Sequence, residues 1–111
     1  MAGVIYISCN WELLNDANYH SPHVVKRLLR KMISLEHYAR KGDTVAQSIL
    51  IDLTDAMNND KVLTYKQQRY LKLWLEGYRQ IDIAAMHRIS QQAVGRRIDK
   101  AAINISIYLV R

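Results

Sequence analysis

Five polar side chains between residues 91 and 100 have the types and spacing to read a nucleic acid: Gln91, Gln92, Arg96, Arg97 and Lys100. A glutamine can bond an adenine edge in bidentate fashion and an arginine a guanine edge, and both arginine and lysine meet phosphate oxygens. On a helix that turns about 100° per residue, Gln92, Arg96 and Lys100 share one side. Gln91 and Arg97 lie at its flanks, and Gly95 leaves a low spot. Arg79 and Arg88 add two cations just upstream. The expected ligand of this set is double-stranded DNA, weighed against an ordinary solvated basic face.

Such side chains need a helix with a buried back. Val94, Ile98, Ala101 and Ile105, spaced four, three and four apart, supply one apolar stripe opposite the basic side. Ser90 is the expected N-cap, since its hydroxyl can accept a hydrogen bond from a free amide two or three residues on. Upstream, Ile83, Ala84 and Met86 are read as the apolar side of a shorter helix, and His87-Arg88-Ile89 as the turn. Two short helices around a tight turn, the second basic outside, form the pattern of a helix-turn-helix, whose second helix enters the major groove. The recognition helix is expected over about residues 91–108.

Charge agrees with this placement. The formal net charge is +6 and the pI is near 9.6. Residues 1–60 hold six Lys/Arg and seven Asp/Glu, whereas residues 61–111 hold ten and three. The whole excess therefore sits in the half with the helix-turn-helix, which suits nucleic acid. The basic helix lacks the large aromatic anchors of surface helices that lie on membranes. No run approaches the ~20 apolar residues of a membrane span, so no membrane partner is expected. Cys9 is the single cysteine, which excludes an intramolecular disulfide and fits a reducing compartment. The apolar run Val4-Ile5-Tyr6-Ile7 is too short for a signal segment. A soluble, cytoplasmic protein is expected.

Taken in order, residues 1–9 carry a β-branched run with strand propensity, and Trp11, Leu13 and Leu14 suit a short helical turn. Ser21-Pro22 starts a helix whose apolar positions are Val24, Val25, Leu28, Leu29, Met32, Leu35 and Ala39, ending at Gly42. Asp43 or Thr44 caps the next, with Val45, Ala46, Ile49, Leu50, Leu53, Ala56 and Met57 as its stripe. The two are expected to form an antiparallel hairpin. Thr64 and Gln67 have capping-box spacing, opening a helix that buries Tyr70, Leu71, Trp74 and Leu75 and stops at Gly77. The expected architecture is all-α: an N-terminal helical hairpin, with a short strand at most, over residues 1–60, for oligomerisation or partner binding, then a three-helix DNA-binding unit over 61–111.

The stretch from Leu63 to Ala102 resembles region four, the C-terminal DNA-binding segment, of bacterial RNA polymerase sigma factors. Leu63-Thr64, Gln68-Arg69, Leu73, Gly77, Ile83-Ala84, Ile89-Ser90, Val94 and Ile98 fall in register without a gap. Upstream, no long aromatic and basic helix of the promoter-melting kind precedes it. The whole is more similar to small phage and prophage sigma-like regulators of Gram-positive bacteria. That resemblance implies transcription control in a bacterial host cytoplasm, with or without contact to RNA polymerase. It also implies that Gln91, Gln92 and Arg96 face bases while Arg97 and Lys100 face phosphates. Two departures stand out: Arg88 where the family usually has Gly, which implies that the turn is reached another way, and His87 where a Leu is usual, which implies looser packing. Gly95 inside the recognition helix costs ~1 kcal/mol of helix propensity against Ala, which suggests either a close backbone approach or simple tolerance.

Other constellations are weak. His20 and His23 lie three apart, with Cys9 upstream, but a metal site needs three or four converging ligands. Asp52 and Asp55 have no partner His for acid–base work. No phosphate-cradling glycine loop or nucleophile elbow exists, so neither catalysis nor a metal or cofactor is expected. Ile103 and Ile107 lie on the outward side beyond Lys100, where an exposed apolar pair suggests a partner surface. A homodimer through that pair or through the N-terminal segment is one expectation. The alternatives to DNA recognition for regulation are a module that binds RNA polymerase or another protein without touching DNA, and a phage DNA-packaging recognition subunit.

Overall fold

A break at Lys31 sets the layout of the N-terminal half. A computed structural model describes residues 20–110, with helices α1 (Pro22–Arg30), α2 (Met32–Arg40), α3 (Thr44–Met57), α4 (Tyr65–Leu75), α5 (Gln80–His87) and α6 (Gln91–Val110). No strand occurs among the described residues; the strand-prone run and the Trp11 turn lie outside them. The single helix expected from Pro22 to Gly42 is two helices. Lys31 leaves helical geometry at φ −98° and ψ 18°, and its N–H donates to the Leu28 carbonyl at 3.0 Å, a tightened last turn. The cause is tertiary. α1 packs on α6 and α2 packs on α3, and one straight rod cannot serve both neighbours. The expected hairpin is therefore made by α2 and α3, joined through Lys41-Gly42-Asp43 and tied by Gln47 Nε2 donating to the Ala39 carbonyl at 2.8 Å.

Helix starts follow the local sequence closely. Asp43 caps α3 by accepting from the Ala46 amide at 3.0 Å. Thr64 Oγ1 accepts from the Gln67 amide at 3.2 Å, and Gln67 Oε1 accepts back from the Thr64 amide at 3.0 Å. Both satisfy amides that a helix leaves open at its N-terminus. The same Gln67 oxygen also receives Asn104 Nδ2 of α6 at 3.4 Å, so the cap of α4 is tied to the helix it packs on.

Three helix ends use one device. At each, an amide reaches back five residues: Asp43 to the Tyr38 carbonyl, Tyr78 to Leu73 and Ile89 to Ala84, at 3.0, 3.2 and 3.1 Å. This is the Schellman closure, which needs a left-handed residue one position before the donor. Gly42 (φ 96°), Gly77 (φ 103°) and Arg88 (φ 56°) occupy that position. The turn after α5 is thus reached in the way a glycine would reach it, and not by another route as expected from the sequence.

α6 is the spine. It has 20 residues, roughly 30 Å at 1.5 Å per residue, and α1, α3, α4 and α5 all pack on it. It runs two residues past the expected end at Tyr108. Val94, Ile98, Ala101 and Ile105 are buried as the spacing requires. They share one core with Val25, Leu28, Ile49 and Leu53 from before residue 60 and with Leu71 and Ile83 from after it. Polar links reinforce the packing: Lys26 Nζ meets Asp99 Oδ1 at 2.7 Å, and the Tyr108 hydroxyl donates to Asp55 Oδ2 at 2.6 Å. α1 runs antiparallel to α6. His20 shares a hollow with Ser106, Ile107 and Val110, Lys26 reaches Asp99, and Arg30 lies by Trp74 and Arg79, towards the start of α6.

Candidate nucleic-acid interface

The presenting elements are α5, the Schellman turn and the first half of α6. Arg79 precedes α5, and Asp82 lies in its first turn, where a carboxylate opposes the positive end of the helix dipole. Arg79 Nε donates to Asp82 Oδ2 at 3.0 Å and Nη2 to Oδ1 at 3.3 Å. That bidentate hydrogen bond holds the Asp82 carboxyl below its ordinary range and raises the Arg79 guanidinium. Both groups remain in water, so the pair adds little to stability, but it occupies Arg79. At the other end of α5, Ile83 and Ala84 are buried while Met86 is 50% exposed. The expected apolar side is corrected here. His87, 40° from Ile83 on the wheel, takes the inward position, and Met86 falls outside that arc.

Ser90 then opens α6. Its Oγ accepts from the Ala93 amide at 3.0 Å, as the sequence predicts. Gln91, Gln92, Arg96 and Lys100 are all exposed. With the back of the helix buried, these side chains stand clear along its outer side. Arg88 is exposed at the turn. Arg97 is half-buried, its guanidinium 5.5 Å from the centre of the Tyr70 ring, within cation–π range. Gly95 is not a low spot on the outer side but the place where α6 passes α5. A Cβ there would stand 3.2 Å from Gln80 Oε1.

The structure adds three residues that sequence spacing did not single out as site residues. His87 Nδ1 lies 2.9 Å from the Ile83 carbonyl, and Arg69 Nε donates to His87 Nε2 at 3.3 Å. This pattern fits the tautomer with its hydrogen on Nδ1. The imidazole also meets Tyr70 edge to face at 4.7 Å. His87 therefore does not loosen the packing, as expected from the sequence; it pins α5 to α4. Arg69, His87, Tyr70 and Arg97 form one connected group on the flank of the outer side. The sequence marked Gln68-Arg69, His87 and Tyr70 one by one but not their meeting, because contacts 18 residues apart leave no periodic trace.

Two nearby acids are engaged, while Glu76 lies exposed in a hollow it shares with Arg69. Asp99 is paired with Lys26, and Asp82 with Arg79. Elsewhere, Ile103 and Ile107 are 37% and 66% exposed. His20 and His23 are exposed, and among the described residues no group of three or more His, Cys, Asp or Glu could hold a metal ion. No helix among them is long and apolar enough to cross a membrane. The chain matches no protein-family model, no curated protein and no solved structure.

Proposed function

We propose that this chain is a sequence-specific double-stranded DNA-binding transcription regulator of the sigma region-four-like, phage or prophage type. The reading assigns α5 and α6 to a helix-turn-helix, with α6 in the major groove of a target in a bacterial cytoplasm. One observation carries it: Gln92, Arg96 and Lys100 are exposed in a row on a helix whose opposite side is sealed into the core. Gln91, Gln92 and Arg96 supply base-edge chemistry, and Arg88, Arg97 and Lys100 meet phosphate. Arg79 joins them when it releases Asp82. The exposed Ile103 and Ile107 favour a second role beside this one, contact with RNA polymerase or a second copy at the far end of α6.

The test is a band-shift titration on duplexes selected with the purified protein. Arg96→Ala should weaken specific binding by ~1–3 kcal/mol and relax preference at one base pair. Unchanged affinity together with unchanged preference would refute a base contact by Arg96. No duplex binding at low salt, with a positive polymerase pulldown, would replace this reading with that of a protein-interaction module.

A further inference from the structure

We infer that α1 carries a second phosphate-binding site, formed by His23, Arg27 and Arg30 around the paired Lys26, for the backbone of the same duplex that α6 enters. This rests on the DNA reading above and extends it to a helix whose half of the chain carries no net positive charge. Among the described residues, His23, Lys26, Arg27 and Arg30 line a surface hollow of about 300 Å³. His23, Arg27 and Arg30 are exposed, and Lys26 is half-buried.

Position gives the hollow its meaning. The 2.7 Å bond from Lys26 to Asp99 fixes α1 beside α6 one turn beyond Arg96. On the helical wheel, Asp99 and Arg97 stand on opposite flanks of the Gln92, Arg96 and Lys100 side. Because α1 runs antiparallel to α6, Arg30 lies towards the end that carries Gln92. It is steadied there over the Trp74 ring at 5.0 Å. Packed helices stand 8–10 Å apart, and the major groove is about 12 Å wide with a phosphate chain on each wall. A helix seated in the groove therefore brings its neighbour over one wall. The Arg69, His87 and Arg97 group faces the other. Asp99, the acid nearest α1 in these contacts, is neutralised by Lys26, so it does not repel a phosphate. The ligand class is the phosphodiester of a duplex, bound without regard to base.

The experiment measures binding of the full chain to a selected duplex and to an unrelated duplex of equal length, across a range of salt. Each lost phosphate contact should flatten the slope of log K against log salt by ~0.9. Arg27→Ala should flatten it by about that amount on both duplexes, leaving their affinity ratio unchanged, and Arg27→Glu should weaken both further. Arg27 is solvent-exposed, so neither change should disturb the fold, and an unaltered circular-dichroism melt checks this. A wild-type slope in both variants would overturn the inference while leaving the DNA reading standing. No binding of wild type to either duplex would overturn both. Arg27-dependent binding to phosphatidylserine vesicles, with an unaltered DNA slope, would assign the hollow to a membrane surface and likewise overturn it.

Discussion

Replacing Arg88 by glycine should make this protein more stable and, if the functional reading holds, a weaker DNA binder. Arg88 sits at φ 56° and ψ 43°, where a side chain costs roughly 1–2 kcal/mol through the contact of Cβ with the following carbonyl. Glycine has no Cβ, but it loses more backbone freedom on folding, about 0.5–1 kcal/mol relative to alanine. The difference leaves a gain of about 0.5–1 kcal/mol. At roughly 2.1 cal/mol/K per residue and 111 residues, this raises the melting temperature by about 2–4 °C. Arg88→Ala is the control, since it removes the same charge without relieving the backbone. Differential scanning calorimetry should rank Gly above both Arg and Ala, while both variants lose the same salt-dependent share of duplex affinity. Because Gly42 and Gly77 close the same kind of turn, the comparison has two internal references. A glycine variant that melts at or below the parent would refute the reasoning and show that contacts of the Arg88 side chain outweigh the conformational cost.

Three further outcomes test the same surface. Gly95→Ala gains up to ~1 kcal/mol of helix propensity against a 3.2 Å approach to Gln80 Oε1, the far end of a flexible side chain; urea denaturation should show net stabilisation with duplex affinity unchanged, whereas a loss that Gln80→Ala rescues would show that the crossing needs glycine. Carbon-detected NMR titration should find the Asp82 carboxyl below the ordinary value of about 3.9, returning upward in Arg79→Ala. The stability of that pair is present above the ordinary value and lost as pH falls through the lowered one, and Asp82→Asn should release Arg79 and tighten duplex binding at low salt.

Much of the local architecture was legible because it is written in contiguous residues. The caps at Asp43, Thr64 and Ser90, the stops at Gly42 and Gly77, and the Val94 to Ile105 stripe each follow from chemistry within one or two turns. The break at Lys31 was not legible. Arg30-Lys31-Met32 contains neither proline nor glycine, and the break goes with α1 and α2 leaning on different helices. The inward turn of His87 was missed for a related reason: a histidine reads as polar until a carbonyl and an arginine are found to satisfy both ring nitrogens. The outer row of α6 followed from helical geometry alone. The cations of α1 beside it did not, since Lys26 and Asp99 lie 73 residues apart and charge counted along the chain does not show which helices pack together.

Because four helices lean on α6, the side that meets solvent and the side that holds the molecule together belong to one rod. Loosening the rod would surrender the core, so the backbone beneath the outer row is held by the packing that holds the fold. Under the DNA reading proposed above, a substitution that weakens duplex binding while leaving the melt untouched is then expected to act at the surface it alters, by charge or shape.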